Sequence, residues 1–357
     1  MADVLGNRIR LTLFGESHGP IVGVVIDGLP AGVQISLGAV ADEMRRRAPG
    51  VCPLLTSRQE SDTVEILSGF YGGKTTGSAL CGIIRNQDVR SGDYGTIPRP
   101  GHGDLTAAVK YGGYADMRGG GHFSGRLTAP LVFAGAVAKQ MLALQGISVF
   151  GRMLSVGTVV DDSLSTLDEG EWMAVSKKDF RVADDHAGEA MLELISCCRE
   201  EDDSVGGRVE VAAFGVPAGI GEPFFHSVES VVSHLFFSIP AVKAVEFGDG
   251  FSLSEMRGSA ANDAIVVEKG VMTTLTNRCG GVLGGITTGR AVVARVAFKP
   301  TPSIAKAQDS IDPGSMEPVV LKTKGRHDPC VAVRGLAAVE AALALSLLDL
   351  MPEMGTM

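Results

Sequence analysis

Hydrophobic positions along the chain follow two rhythms. Apolar, often β-branched runs at 9–14, 22–27, 63–67, 78–85, 208–214, 242–247, 264–268 and 291–298 are bounded by Gly or Pro and predict strands. Stretches at 37–47, 104–111, 130–145, 186–199, 228–238 and 336–350 predict helices. The helix from Pro130 is the most sharply marked: Thr128 offers a cap, Pro130 sits in the first turn, and Gly146 closes it. Apart from Lys139 and Gln140 it is apolar on nearly every side, which places it between layers. Strands and helices cluster instead of alternating strictly. The expected class is therefore α+β, with antiparallel sheets packed on central helices.

Two short patterns recur in the same order. "VVIDGLPAG" (24–32) resembles "VAAFGVPAG" (211–219), and "GGKTTGSAL" (72–80) resembles "GGITTGRAV" (284–292). The spacing from Gly28 to Gly72 is 44 residues and from Gly215 to Gly284 it is 69, so the second copy carries an insertion. Two matches in register predict an internal duplication. The expected organisation is one domain over 1–357, with pseudo-symmetric halves at roughly 1–150 and 206–350. Between them, the acidic residues 161–205 ("DDSLSTLDEGEW", "REEDDS") read as a solvated peripheral insertion.

Composition narrows the function. A net charge of −9, one Trp and four Tyr argue against a nucleic-acid partner, which requires a basic footprint or a stacking platform. Six scattered cysteines without a C-x-x-C pair indicate free thiols in a reducing compartment. The first residues lack a charged segment leading into an apolar core, so no secretory signal is expected. Lys139, Glu340 and Asp349 interrupt the longest apolar stretches, so no membrane partner is expected and the location read from these features is cytoplasmic. Forty-seven glycines imply many places where backbone approaches backbone or ligand closely.

"GESHG" (15–19) fits the G-x-S-x-G elbow of a serine hydrolase, with Ser17 as nucleophile. A strand-like run follows it where an elbow needs a helix, so the hydrolase is the weaker alternative. "SGFYGGKTTG" (68–77) misses a nucleotide P-loop because Gly69 stands one residue late. Arginines stand in "MRRRAPG" (Arg45, Arg46, Arg47), in "GGGHFSGRLTAP" (Arg126) and in "KGRHDPCVAVRG" (Arg326, Arg334). Glycines 119–121 before the Pro130 helix would expose N–H groups to an anion, and guanidinium groups would add bidentate recognition. Such loops in an acidic protein imply a small anionic ligand. Four of the seven histidines, His18, His102, His122 and His327, lie in Gly-, Pro- or Arg-rich loops and read together as a proton-moving set. No pair has metal-ligand spacing, so no metal is expected.

Together these residues resemble a family. "GESHGPIVGVVIDGLP", "RPGHGDL", "GGGHFSGRLTAP", "GGVLGGITTG", "FKPTPSI" and "KGRHDPC", with "RRRAPG" and "VEILSG", are similar to chorismate synthase over residues 14–330. The resemblance implies phosphate elimination from 5-enolpyruvylshikimate 3-phosphate with reduced FMN. It also implies a β-α-β sandwich, two antiparallel sheets around central helices with internal pseudo-two-fold symmetry, assembled as a homotetramer. By position, His18, His102 and Asp328 would be catalytic, and Arg46, Arg126 and Arg326 would clamp substrate. FMN contacts would come from His122, Phe123, Ser124, Gly284, Lys299, Pro300, Thr301, Pro302, Ser303 and Arg326, with NADPH as a candidate reductant at Arg46. The chain has His122 and Leu127 where the family commonly has an arginine and a glutamate, and Pro53 where a second NADPH-associated arginine is common. A catalytically silent FMN- or anion-binding relative is the alternative these departures raise.

Overall fold

The computed structural model describes residues 3–48, 60–88, 95–161, 168–323 and 327–352. Strands β1 (Val4–Leu5), β2 (Arg10–Gly15), β3 (Ile21–Asp27), β4 (Val64–Ser68) and β7 (Leu80–Arg85) form one sheet in the order β1-β2-β3-β7-β4. Strands β8 (Ser148–Val156), β9 (Val159–Val160), β10 (Gly207–Phe214), β11 (Val242–Phe247) and β16 (Val292–Phe298) form the second, in the order β11-β16-β10-β8-β9. Every pairing in both sheets is antiparallel. The chain is thus of mixed, α+β class. Alternation explains the burial: in β16, Val292, Ala294, Val296 and Phe298 are buried while Val293, Arg295 and Ala297 between them are half-buried.

Helices α3 (Thr128–Ala143) and α8 (Val331–Leu350) carry the buried sides of the sheets. Helix α3 packs on β3, β7 and α8, and α8 packs on β8, β10 and β16. Small residues let the two helices meet: a Cβ on Gly135 would lie 2.2 Å from the Cβ of Ala341. Helix α8 is long and apolar enough to span a membrane, with mean hydropathy 1.8, but 83% of that stretch is buried as a core element. Of its two acids, Glu340 is buried as well, 1% exposed, and is held by Arg46, Lys139 and Arg181. Helices α1 (Leu37–Arg47) and α6 (Val228–Ser238) flank this core, each opening on a serine cap, Ser36 and Ser227.

The two quoted repeats adopt the same backbone. Gly28 and Gly215 both have positive φ, +88° and +74°, and a Cβ on either would run into a carbonyl oxygen, of Arg8 or of Gly146. The hairpins β5 (Phe70–Tyr71) to β6 (Lys74–Thr75) and β14 (Val282–Leu283) to β15 (Ile286–Thr287) turn on Gly72 and Gly284 at φ +57° and +60°. Thr75 Oγ1 donates to Pro30 O at 2.6 Å and accepts from Val33 N–H at 3.0 Å. Thr287 Oγ1 donates to Pro217 O at 2.6 Å and accepts from Ile220 N–H at 2.9 Å.

Some local expectations shift. Thr128 is the first helical residue of α3, and its hydroxyl donates to Gly125 O at 2.6 Å instead of capping. Strand β8, not anticipated, begins at Ser148 and belongs to the second sheet. Within the acidic segment, helices α4 (Glu169–Ser176) and α5 (Asp185–Glu200) bury Trp172, Val175, Met191 and Ile195 on one side and leave most of their polar residues exposed. The span between β11 and β14 holds helix α7 (Gly258–Ala261) and the hairpin β12 (Ile265–Glu268) to β13 (Val271–Thr274). Helix α2 (Asp104–Tyr111) and the hairpin β17 (Gln308–Ile311) to β18 (Pro318–Leu321) lie in the connections into α3 and α8.

Candidate active site

The loop between β2 and β3 is short and tightly held. Asn86 Nδ2 donates to Glu16 O at 3.0 Å and Gly19 O at 2.7 Å, and Ser17 N–H donates to Gly121 O at 3.1 Å. Ser17 is fully buried and β3 follows where an elbow needs a helix, so a serine nucleophile is excluded at this position. His18, next to it, lines a cavity of about 690 Å³.

The glycine triplet forms one wall of that cavity. Gly119, Gly120 and Gly121 have φ of +61°, +82° and +50°. A Cβ on Gly119 would stand 2.4 Å from the His18 ring, and one on Gly120 would stand 3.1 Å from His102 Cε1 and Nε2. Consecutive glycines therefore receive the two imidazoles. Of their N–H groups, that of Gly120 donates to Met117 O at 3.1 Å.

His102 is anchored from behind. Its Nδ1 lies 2.6 Å from Asp104 Oδ1, and Arg99 grips the same carboxylate through Nε at 2.7 Å and Nη2 at 2.8 Å. Burial opposes ionisation of Asp104, but hydrogen bonds from Arg99 and His102 outweigh it and hold the carboxyl well below the usual range. Arg99 Nη1 also reaches Ser303 Oγ at 3.2 Å, joining this loop to 299–303.

Cations crowd the same cavity. Asp62, buried at φ +49°, binds both Arg47 and Arg126, whose side chains are 3% and 2% exposed. Arg126 Nε also donates to Asn86 Oδ1 at 2.8 Å. Arg334 Nη1 lies 2.8 Å from Asp328 Oδ2 and its Nε donates to Arg47 O at 2.9 Å. Burial, with Arg334 and Arg126 nearby, pushes Arg47 down to about 9 despite Asp62. Burial, then Lys243, likewise lowers Lys299, whose ammonium donates to Gly101 O. The described lining holds six Lys or Arg side chains and three Asp or Glu, so it favours an anion. Both central helices begin here, through Thr128 and Val331, adding their positive ends.

Of the residues singled out, His18, His102, His122, Phe123, Ser124, Arg126, Lys299, Thr301, Pro302, Ser303 and Asp328 line this one cavity. Arg46 does not. It points to the far side of α1, where Glu43 takes it at 2.7 Å and Glu340 at 2.9 Å; Arg47 faces the cavity in its place. Gly284 lies at the β14–β15 turn and Pro300 is an exposed neighbour of the lining, and neither belongs to this wall. Arg326 and Pro53 lie outside the described residues. Sequence reasoning passed over Arg47, Arg99 and Asp104. Arg47 was legible, since Val40, Met44 and Arg47 share the buried face of α1 at helical spacing.

Comparison with known proteins bears on this geometry. The family model described as chorismate synthase matches residues 9–351. A chorismate synthase of Korarchaeum cryptofilum is 45% identical over 350 residues, 97% of this chain and 96% of the relative. One of Pyrococcus abyssi is 47% identical over 347 residues, 96% of each chain. A crystal structure of chorismate synthase superposes with a TM-score of 0.76 at 28% identity, covering 97% of this chain and 92% of that one.

Proposed function

The chain belongs to the chorismate synthase family, and from that premise we propose that the cavity between the glycine triplet and the starts of α3 and α8 is its reaction chamber. The reaction removes phosphate and a ring hydrogen from 5-enolpyruvylshikimate 3-phosphate to give chorismate, a lyase step that uses reduced FMN. The observation that carries the assignment is the seating of His18 and His102 against Gly119 and Gly120 in one cationic cavity.

The residues present suit a phosphate-bearing cofactor beside a polyanionic substrate. A volume of about 690 Å³ lies within the usual range of cofactor clefts, roughly 300–1,000 Å³. His122, Phe123, Ser124 and the stretch Lys299–Ser303 would hold the FMN, with Gly284 and Arg326 carried over from the family resemblance. Bound reduced FMN supplies electron density that weakens the C–O bond to the departing phosphate.

Proton placement and charge neutralisation fall to the chain. His18 donates a proton to the leaving phosphate, general acid catalysis worth ~10²–10⁴ in rate. Arg126 and, in place of Arg46, Arg47 neutralise the substrate's charges, supported by the two helix starts. Asp328 accepts the ring proton. Its pairing with Arg334 at 2.8 Å orients one oxygen. His102, at the cavity wall against Gly120, would stand beside the flavin and stabilise its reduced form. Arg46 holds the buried Glu340 of the helical core.

We also propose the finer architecture: one pseudo-symmetric domain, a β-α-β sandwich of two sheets around α3 and α8. Equivalent strand orders and the matched Thr75 and Thr287 bonds support it. A cytoplasmic homotetramer fits the exposed apolar Phe225, Ile265 and Met272, 90%, 77% and 77% accessible in the single chain. The test is an anaerobic assay with dithionite-reduced FMN. His18→Ala and His102→Ala should each lower turnover by ~10²–10⁴ while circular dichroism is unchanged. Wild-type rates in either variant would sink the assignment.

A further inference from the structure

We propose that Asp104, clamped by Arg99, is a positioning residue that fixes the tautomer and orientation of His102. The inference rests on the reading of His102 given above. The imidazole carries a proton on one of two nitrogens, and its neighbours decide which. Nδ1 stands 2.6 Å from Asp104 Oδ1, and a carboxylate can only accept there. Arg99 Nη2, which donates to Asp104 Oδ1 at 2.8 Å, lies at 3.2 Å from the same nitrogen, the longer of its two contacts. The shorter contact to the anion therefore places the proton on Nδ1. Nε2, at the edge laid against Gly120, is left as the basic nitrogen at the cavity wall.

Asp104 is itself fixed. It is 8% exposed, opens helix α2, and accepts from Arg99 N–H at 3.0 Å as well as from the two guanidinium nitrogens. A carboxylate so held cannot rotate to accommodate the other tautomer. Because Arg99 also donates to Ser303 Oγ at 3.2 Å, the 299–303 loop shares the same anchor. No other acid is joined to the His102 ring by a hydrogen bond among the described residues.

The test compares Asp104→Asn, Asp104→Glu and His102→Gln in the full chain. Solid-state NMR of histidine-labelled protein reads the ring nitrogens directly, with the His102 signals assigned by their loss in His102→Gln. Wild type and Asp104→Glu should hold the Nδ1-protonated form, whereas Asp104→Asn, whose amide can present either a donor or an acceptor, should show both tautomers. In the anaerobic assay Asp104→Asn should lower kcat about 10- to 100-fold with KM changed less than about threefold, and Asp104→Glu should recover most of it. An Asp104→Asn protein with the wild-type tautomer and wild-type kcat overturns the proposal even if His102→Gln is impaired. A His102→Gln enzyme at full turnover instead overturns the reading of His102 itself.

Discussion

The two sheets share their turns and part company on their outer faces. A Cβ on Gly82 would strike Phe133 of α3, and one on Gly151 would strike Glu340 and Leu336 of α8, so the next residues along, Ile83 and Arg152, face away from the helices. Across the first sheet the matching row reads Phe14, Gly23, Ile83, Glu65. Across the second it reads Arg152, Glu210, Arg295, Glu246. Arg152 is 1% exposed, bonded to Glu210 at 2.8 Å and Asp161 at 3.2 Å, with the Trp172 ring 5.7 Å away. The acidic segment that covers this face supplies Asp161 and Trp172. What lies over a sheet decides the side chains of its outer row, while backbone chemistry decides its turns.

The largest effect should come from breaking the ionic row. Glu210→Ala leaves Arg152 and Arg295 without their 2.8 Å partner and should cost about 3–5 kcal/mol in urea unfolding. The matched change in the first sheet, Gly23→Ala, pushes a methyl against the Phe14 ring and should cost about 1–3 kcal/mol. Equal losses would erase the distinction between the faces. The turns should respond alike instead. Gly28→Ala and Gly215→Ala should each cost about 1–3 kcal/mol, because both force a Cβ onto a carbonyl oxygen. Gly72→Ala and Gly284→Ala, with nothing within 4 Å, should lose only about 1 kcal/mol of left-handed strain. Divergence within either pair would count against duplication.

Acid sharpens the comparison further. Burial would raise the Glu340 and Asp62 carboxyls, but Arg46 with Lys139, and Arg47 with Arg126, more than reverse it and hold both below their ordinary values. A depressed folded-state value means stability is present above the unfolded pKa and drains away as pH falls. Urea midpoints should therefore decline below about pH 5, and Glu340→Gln should flatten the decline. A Glu340→Gln profile as steep as wild type would show that this carboxyl does not drive it. The smallest effect belongs to Arg85→Ala. Its partner Glu65 is 2.6 Å away but both side chains face solvent, and the unfolding midpoint should not move.

Most of this fold could be read from the chain, because its elements obey simple periods and end at Gly or Pro. Strand β8 could not: Gly151 and Arg152 interrupt its apolar run, and Arg152 is intelligible only beside Glu210 and Asp161. For the site, the histidines stood out because they lie in glycine-rich loops. Helical phase is what turns Arg47 rather than Arg46 to the cavity, and a triplet of arginines looks uniform until Val40 and Met44 are used to orient it. Asp62 gave no warning, because its importance comes from two guanidinium groups brought together from distant segments, α1 and the loop before α3.

The convergence of α3 and α8 on one chamber sets a floor under its affinity for negative charge. Part of the attraction belongs to peptide dipoles, which no side-chain substitution deletes. Stripping the arginines one after another should thus bring anion binding down to a residual plateau instead of to nothing, and that plateau would measure what the main chain alone contributes.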